Sequence, residues 1–283
     1  MESLKTIKNR IRTINSIMKA TNAMKMVSMA KLAKINNSGK FSKKCGDALF
    51  EMISKAVSEA IFKDILDRDS WLNRQTGKTL IMVLSTDQGF CGAFHQSINE
   101  TAKRIVAEHS GSYVEIFGKK RLNSIKRLTS GFTEKIDIGR MINVSLFSKA
   151  IADIVVKYVI HNDVVNVFVI SGKMKNMLSQ SILCTKILPI EKRDVIDSEY
   201  VKIDGSWQDF INAALGMYIS KLFVSIVTEH LIAEYSARVM AMDNSVRNAN
   251  CIRNRLSILY NNIRQSKITQ ELTEIIASVE CVQ

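Results

Sequence analysis

Residues 4–18 read LKTIKNRIRTINSIM, and within them Leu4, Ile7, Ile11, Ile14 and Met18 step by three and four. That step is the a/d seam of a helix that packs along another helix rather than into a broad core. Met24 and Val27 resume the spacing after a phase slip at Ile17, Ala20 and Thr21, the offset expected where a coiled coil changes twist or partner. Nothing forces this helix to stop before about residue 60, although Asn36, Asn37, Ser38 and Gly39 weaken it. The far end of the chain reads the same way from Gln208 to Val279. Leu215, Leu222, Ile226 and Ala233 mark one face there, and Val246, Ala249, Leu256, Tyr260 and Ile263 continue a stripe. The interval 242–250 is poor in large apolar residues, so that face either packs closely or runs through solvent. The only proline, Pro189, lies in neither end, whereas average usage would supply roughly 14. Proline inside a helix costs roughly 3 kcal/mol, and neither end carries that break. At 1.5 Å per residue the C-terminal stretch would reach on the order of 100 Å. No single core needs that length, so the ends are expected to leave the globular body and pair, most simply antiparallel.

Between the ends the period changes. Residues 79–85 (TLIMVLS), 113–117 and 164–171 (VVNVFVIS) are short, β-rich and mostly apolar, as buried strands are. Helix-like stretches cover 93–108, 119–128 and 146–160, and such alternation argues for an α/β unit with a largely parallel sheet. Residues 184–190 add a last strand ended near Pro189, and 191–206 are polar and read as loop. Three regions follow: an N-terminal coiled-coil helix (1–60), an α/β domain (76–206) and a C-terminal coiled-coil helix (207–283).

The net charge is +13 and unevenly spread: residues 1–44 hold eleven lysines and arginines against Glu2 alone. This is either a solvated basic face or a surface for an acidic partner, whether nucleic acid, a membrane surface or acidic protein loops. Five scattered cysteines without CxxC spacing argue against a disulfide framework or zinc site and fit a reducing compartment. No apolar run approaches the roughly 20 residues that span a bilayer, and charges interrupt the N-terminus where a signal peptide needs an apolar run. A soluble intracellular chain is expected. The four histidines lack metal-ligand spacing, and neither HExxH nor a P-loop occurs. Gly89-Phe90-Cys91-Gly92 follows the first strand as GxxG rather than GxGxxG, a weak phosphate cradle or a tight strand-to-helix turn. No serine, cysteine or aspartate stands in a triad context, so neither an active site nor a cofactor is expected.

Longer strings are more specific. Residues 23–32 (AMKMVSMAKL) resemble the N-terminal signature of the gamma subunits of F-type ATP synthases. Residues 85–92 (STDQGFCG) resemble that family's SDRGLCGG loop, with Gln88 and Phe90 substituted. Residues 237–244 (ARVMAMDN) and 260–275, ending ITQELTEI, resemble its C-terminal signature. The strings lie in order at the start, middle and end of the chain. The resemblance implies an antiparallel coiled coil of the terminal helices with a Rossmann-like α/β domain. It also implies a noncatalytic central shaft inside a ring of three alpha and three beta subunits. The foot would dock on the epsilon subunit and the membrane c-ring, in a complex that also holds the delta subunit. Proton flow would turn ring and shaft, and the shaft would drive the beta subunits through their nucleotide states.

At matched positions, the resemblance puts Met24 and Lys25 against the acidic lever loops of beta. It makes Arg264, Gln265, Thr269 and Glu271 a polar catch on the alpha/beta ring, and Ile275, Ile276, Val279 and Val282 an apolar bearing tip. Asp87, Gly89, Cys91 and Gly92 belong to the foot-domain loop. Residues 17–27 are more apolar than the family's TQKITKAMKMV, the residues after Gly92 depart from its pattern, and residues 200–207 match poorly. The missing transit peptide favours a bacterial enzyme, peripheral on the cytoplasmic side of the inner membrane. The alternative is a basic coiled-coil nucleic-acid binder.

Overall fold

The structure, a computed structural model, describes residues 3–62, 77–118, 144–162, 164–189 and 207–280. In chain order the elements are α1 (Leu4–Phe62), β1 (Lys78–Leu84), α2 (Phe94–Glu108), β2 (Tyr113–Phe117), α3 (Val144–His161), β3 (Val164–Met174), β4 (Gln180–Leu188) and α4 (Trp207–Glu280). They form two compact units: Ala30–Arg238, and Met1–Met29 together with Val239–Gln283.

In the first of these units the sheet order is β2-β1-β3-β4. β1 runs parallel to β2 and β3, and β4 is antiparallel to β3. β1 reads KTLIMVL because it is central and buried on both faces. Its Leu80, Met82 and Leu84 face Phe147, Ile151, Val155 and Val159 of α3 and Ile219, Phe223 and Val227 of α4. Its Ile81 and Val83 join Phe94, Ile98, Ala102 and Ile105 of α2, with Ala233 and Ala237 of α4. The three- and four-residue steps of these helices put each apolar stripe on the sheet. Full burial is worth about 1.5–3 kcal/mol per large side chain, so the two layers are what hold this unit together. The last strand begins at Gln180, earlier than its apolar part suggests. Backbone pairing with β3 extends it back through Gln180, Ser181, Ile182 and Leu183, only two of which are apolar. The helix expected over 119–128 and the loop over 191–206 lie outside the described residues.

In the helix-pair unit one expectation is corrected. Leu4, Ile7, Ile11, Ile14, Met18, Thr21, Lys25 and Ser28 are all buried or half-buried, while Ile17, Ala20 and Val27 are exposed. The heptad therefore runs on without a slip, through polar residues. Each of these finds a partner. Thr21 Oγ1 donates to the Ile17 carbonyl at 2.8 Å, Ser28 Oγ to the Met24 carbonyl at 2.8 Å, and Lys25 pairs with Asp243. The interval 242–250 of α4 packs rather than running free, with Met242 buried and Asp243, Val246, Ala249 and Asn250 half-buried.

The Lys25–Asp243 pair also gives the direction. Counting 21 residues back from Lys25 reaches Leu4, where α1 begins; counting 21 forward from Asp243 reaches Arg264. Ile263 is the last half-buried residue of α4, and every residue from Arg264 to Ser278 is exposed. Burial on α4 ends where an antiparallel α1 would end. The pair is antiparallel.

Candidate functional site

In the α/β unit the loop after β1 is held from several sides. Ser85 and Thr86 are fully buried. The Ser85 N–H donates to the Phe117 carbonyl at 2.7 Å, and Thr86 Oγ1 lies 3.1 Å from His95 Nδ1. Gly118, with φ +118°, lets the chain end of β2 pass this point, because a Cβ there would sit 2.7 Å from the Ser85 carbonyl oxygen. Phe90 and Gly92 have φ of 63° and 59°, which makes Gly89-Phe90-Cys91-Gly92 the tight turn of the two readings its GxxG spacing allows. A left-handed backbone is routine for glycine and strained for phenylalanine, yet the Phe90 ring is 65% exposed. Cys91 is buried, and burial pushes its thiol up, away from thiolate reactivity.

Arg238 of α4 holds this loop. It is 2% exposed, and its Nε and Nη2 donate to the carbonyls of Gly89 (3.2 Å) and Gln88 (3.1 Å). Nη2 also pairs with Glu234, one turn back and equally buried, and the guanidinium lies 5.2 Å from the Tyr235 ring centroid. Burial pushes the Glu234 carboxyl up, and Arg238 pulls it back. Two family-like strings, residues 85–92 and 237–244, thus meet through one guanidinium. Glu234 and Tyr235 carry no sequence signal of this role: a Glu four residues before an Arg reads as an ordinary surface pair.

His230, one turn before Glu234, is fully buried against Phe94, with ring centroids 5.7 Å apart. The Gly172 N–H donates to its Nδ1 at 3.1 Å, so the neutral ring carries its proton on Nε2. Gly172 is required here, because a Cβ would overlap the Phe94 ring. Burial lowers the His230 pKa from 6.5 to about 4, with the Ser85 carbonyl opposing weakly. The depressed value means the unfolded chain takes up the proton first. Stability is full above pH 6.5 and is lost as pH falls toward 4, by about 3 kcal/mol in total. Urea unfolding at stepped pH is expected to show this slope as the difference between the native chain and His230→Asn. Parallel pH profiles for the two would refute it.

In the helix-pair unit, Met24 is half-buried and the Lys25 side chain is 26% exposed. Lys25 pairs with Asp243, which Arg247 Nη2 also reaches at 2.8 Å. The Lys25 hydrogen bond, then Arg247, hold the Asp243 carboxyl below its usual range. Further along α4, Arg264, Gln265, Thr269 and Glu271 are exposed. Thr269 Oγ1 donates to the Gln265 carbonyl at 3.0 Å, and Lys267 reaches Glu271 loosely at 3.9 Å. Ile275 and Ile276 are 59% and 60% exposed. Of Val279 only the helical backbone is described, and Val282 lies outside the described residues. Past Ile263 the seam positions become Lys267, Gln270 and Glu274, while Ile268, Leu272 and Ile275 form a stripe that lies off the seam. That stripe cannot continue the pairing with α1. Among the described residues no group of three His, Cys, Asp or Glu could hold a metal ion. No described helix is long and apolar enough to cross a membrane.

These features define a coiled-coil protein with an α/β domain, carrying its family-like strings in a clamped loop and on an uncovered helix end. The chain matches the family described as ATP synthase over residues 3–282. It is 30% identical to the ATP synthase gamma chain of Rickettsia typhi over 293 residues, and 28% identical to that of Geotalea daltonii over 294, each alignment covering both chains in full. In fold it resembles a chain of the Euglena gracilis mitochondrial ATP synthase OSCP/F1/c-ring structure (TM-score 0.64, 14% identity, 99% of this chain and 94% of that one). A chain of the Tetrahymena thermophila central stalk/c-ring structure gives a TM-score of 0.60 at 17% identity, covering 80% and 98%. The chain belongs to the ATP synthase gamma-chain family and is a rotor subunit of that enzyme. The matches lend nothing to the nucleic-acid alternative.

Proposed function

We propose that this chain is the noncatalytic shaft of a bacterial F-type ATP synthase, turning proton flow through a membrane c-ring into the conformational cycle of the catalytic beta subunits. One observation carries the finer reading. α4 outruns its partner helix at Ile263 and continues as a bare helix carrying polar residues and an apolar stripe. Large apolar side chains exposed on such a helix are satisfied by a socket on another protein. Arg264, Gln265, Thr269 and Glu271 fit a polar catch on a ring of three alpha and three beta subunits. Ile275 and Ile276, with Val279 and Val282, fit an apolar bearing. Met24 and Lys25 would meet acidic loops of beta; Lys25 can share its charge there because Arg247 also neutralises Asp243. The α/β unit, with its loop at Asp87, Gly89, Cys91 and Gly92, serves as the foot toward epsilon and the c-ring, delta being a further subunit of the complex. The complex would then sit on the cytoplasmic side of the inner membrane, held through the c-ring, with the chemistry in the alpha/beta ring.

Co-expression with alpha and beta subunits tests this. One copy of the chain is expected to enter each hexamer and restore coupled ATP hydrolysis; exclusion from the hexamer would sink the reading. A nucleic-acid binder would instead bind DNA with an affinity falling steeply in salt.

A further inference from the structure

We infer that Lys25 and Asp243 form a register pin for the helix pair, one that decides how much of α4 overruns α1. The inference concerns the pairing itself and stands whether or not the chain is a shaft. The apolar seam specifies register weakly. Leu4, Ile7, Ile11, Ile14 and Met18 on one helix, and Val246, Ala249, Leu256, Tyr260 and Ile263 on the other, both repeat by heptads. A slide of seven residues returns seam positions to seam positions. Lys25 breaks that degeneracy. From Leu4 to Ser28 it is the one charged residue among the seam positions of α1. At the observed register it meets Asp243. Slid by one heptad it would lie opposite Asn250 or Ser236, neither of which offers a carboxylate. A half-buried ammonium without an anion is disfavoured, so both slipped registers are penalised while the observed one is not. Thr21 and Ser28 satisfy themselves within α1 and so do not select an alignment, whereas a seam residue that finds its partner in one alignment only is the best-attested means of choosing a register.

The consequence falls at the other end of the pair. The observed register puts the start of α1 opposite Arg264 and leaves the helix bare from there on. A one-heptad slide would bring α1 to residue 271, covering the stretch with Arg264, Gln265 and Thr269, or withdraw it to residue 257 and uncover Tyr260 and Ile263. Lys25 and Asp243 are thus positioning residues for side chains some 20 residues away along α4.

Spin labels at Thr13→Cys and Arg255→Cys, both exposed and opposite by the same count, read the register in the full chain with its five native cysteines replaced. The unaltered pair is expected to give one short distance. Lys25→Met should add a second population displaced by about 10 Å along the axis, as should Asp243→Asn. Lys25→Arg, which keeps the charge, should restore the single distance. An unchanged single distance in Lys25→Met would overturn the pin. So would loss of the single distance in Lys25→Arg with helicity by circular dichroism intact, since the site would then require lysine for its shape and not its charge.

Discussion

Replacing Arg238 with methionine is expected to destabilise the α/β unit by about 3–5 kcal/mol, the usual penalty for removing one partner of a buried ion pair. The guanidinium is the donor to two loop carbonyls and the counter-ion of a carboxylate as buried as itself. Without it Glu234 stays buried with no cation, or takes up a proton, and the strained Phe90 turn loses its restraint. Equilibrium urea unfolding followed by circular dichroism measures the loss. The double replacement Glu234→Leu with Arg238→Met should recover much of it, because two apolar groups of similar volume remove the uncompensated charge. A residual cost of about 1–3 kcal/mol should remain for loop carbonyls left without a donor. If the double variant is no more stable than Arg238→Met alone, the clamp is held together by packing rather than by charge.

Ending the chain at Ile263 is expected to leave both units folded and to weaken binding to the alpha/beta hexamer by about 10- to 100-fold. Residues 264–278 are exposed throughout and contribute little to either unit's core. Their apolar stripe, buried in a socket, would be worth about 1.5–3 kcal/mol per side chain, and losing even one anchor of that size produces the stated change in affinity. Titration of labelled hexamer with the full and shortened chains gives the ratio, and rotation under load gives the corresponding fall in torque. Equal affinity and torque for the two chains would show the catch and bearing assignments to be wrong.

The elements were legible in the sequence wherever a period or a composition carries them. The 3–4 step of α1, the mostly apolar β1 and β3, and the amphipathic α2 and α3 each stand within a dozen or so residues, near the positions read from the pattern. The seam was misread at Thr21, Lys25 and Ser28 for a physical reason. A polar residue at a seam position looks like a break until its partner is known, and those partners are a carbonyl one turn back or a carboxylate 218 residues on. Ile17 and Val27, apolar but exposed, invited the opposite error. β4 was read short because none of its first four residues, Gln180 to Leu183, is fully buried, and the strand there rests on backbone pairing with β3 and on Ile182 packing at the edge of the core.

By itself, then, the sequence determined two long terminal helices, an α/β middle, the excess charge of the first 44 residues and the strings that mark the family. All of these are local patterns. Only the tertiary structure decided where the buried charges go. Arg238 meets carbonyls 149 and 150 residues away, and Lys25 its carboxylate across the helix pair. Whether a charged side chain is desolvated depends on what the fold brings against it, and no window of sequence contains that information.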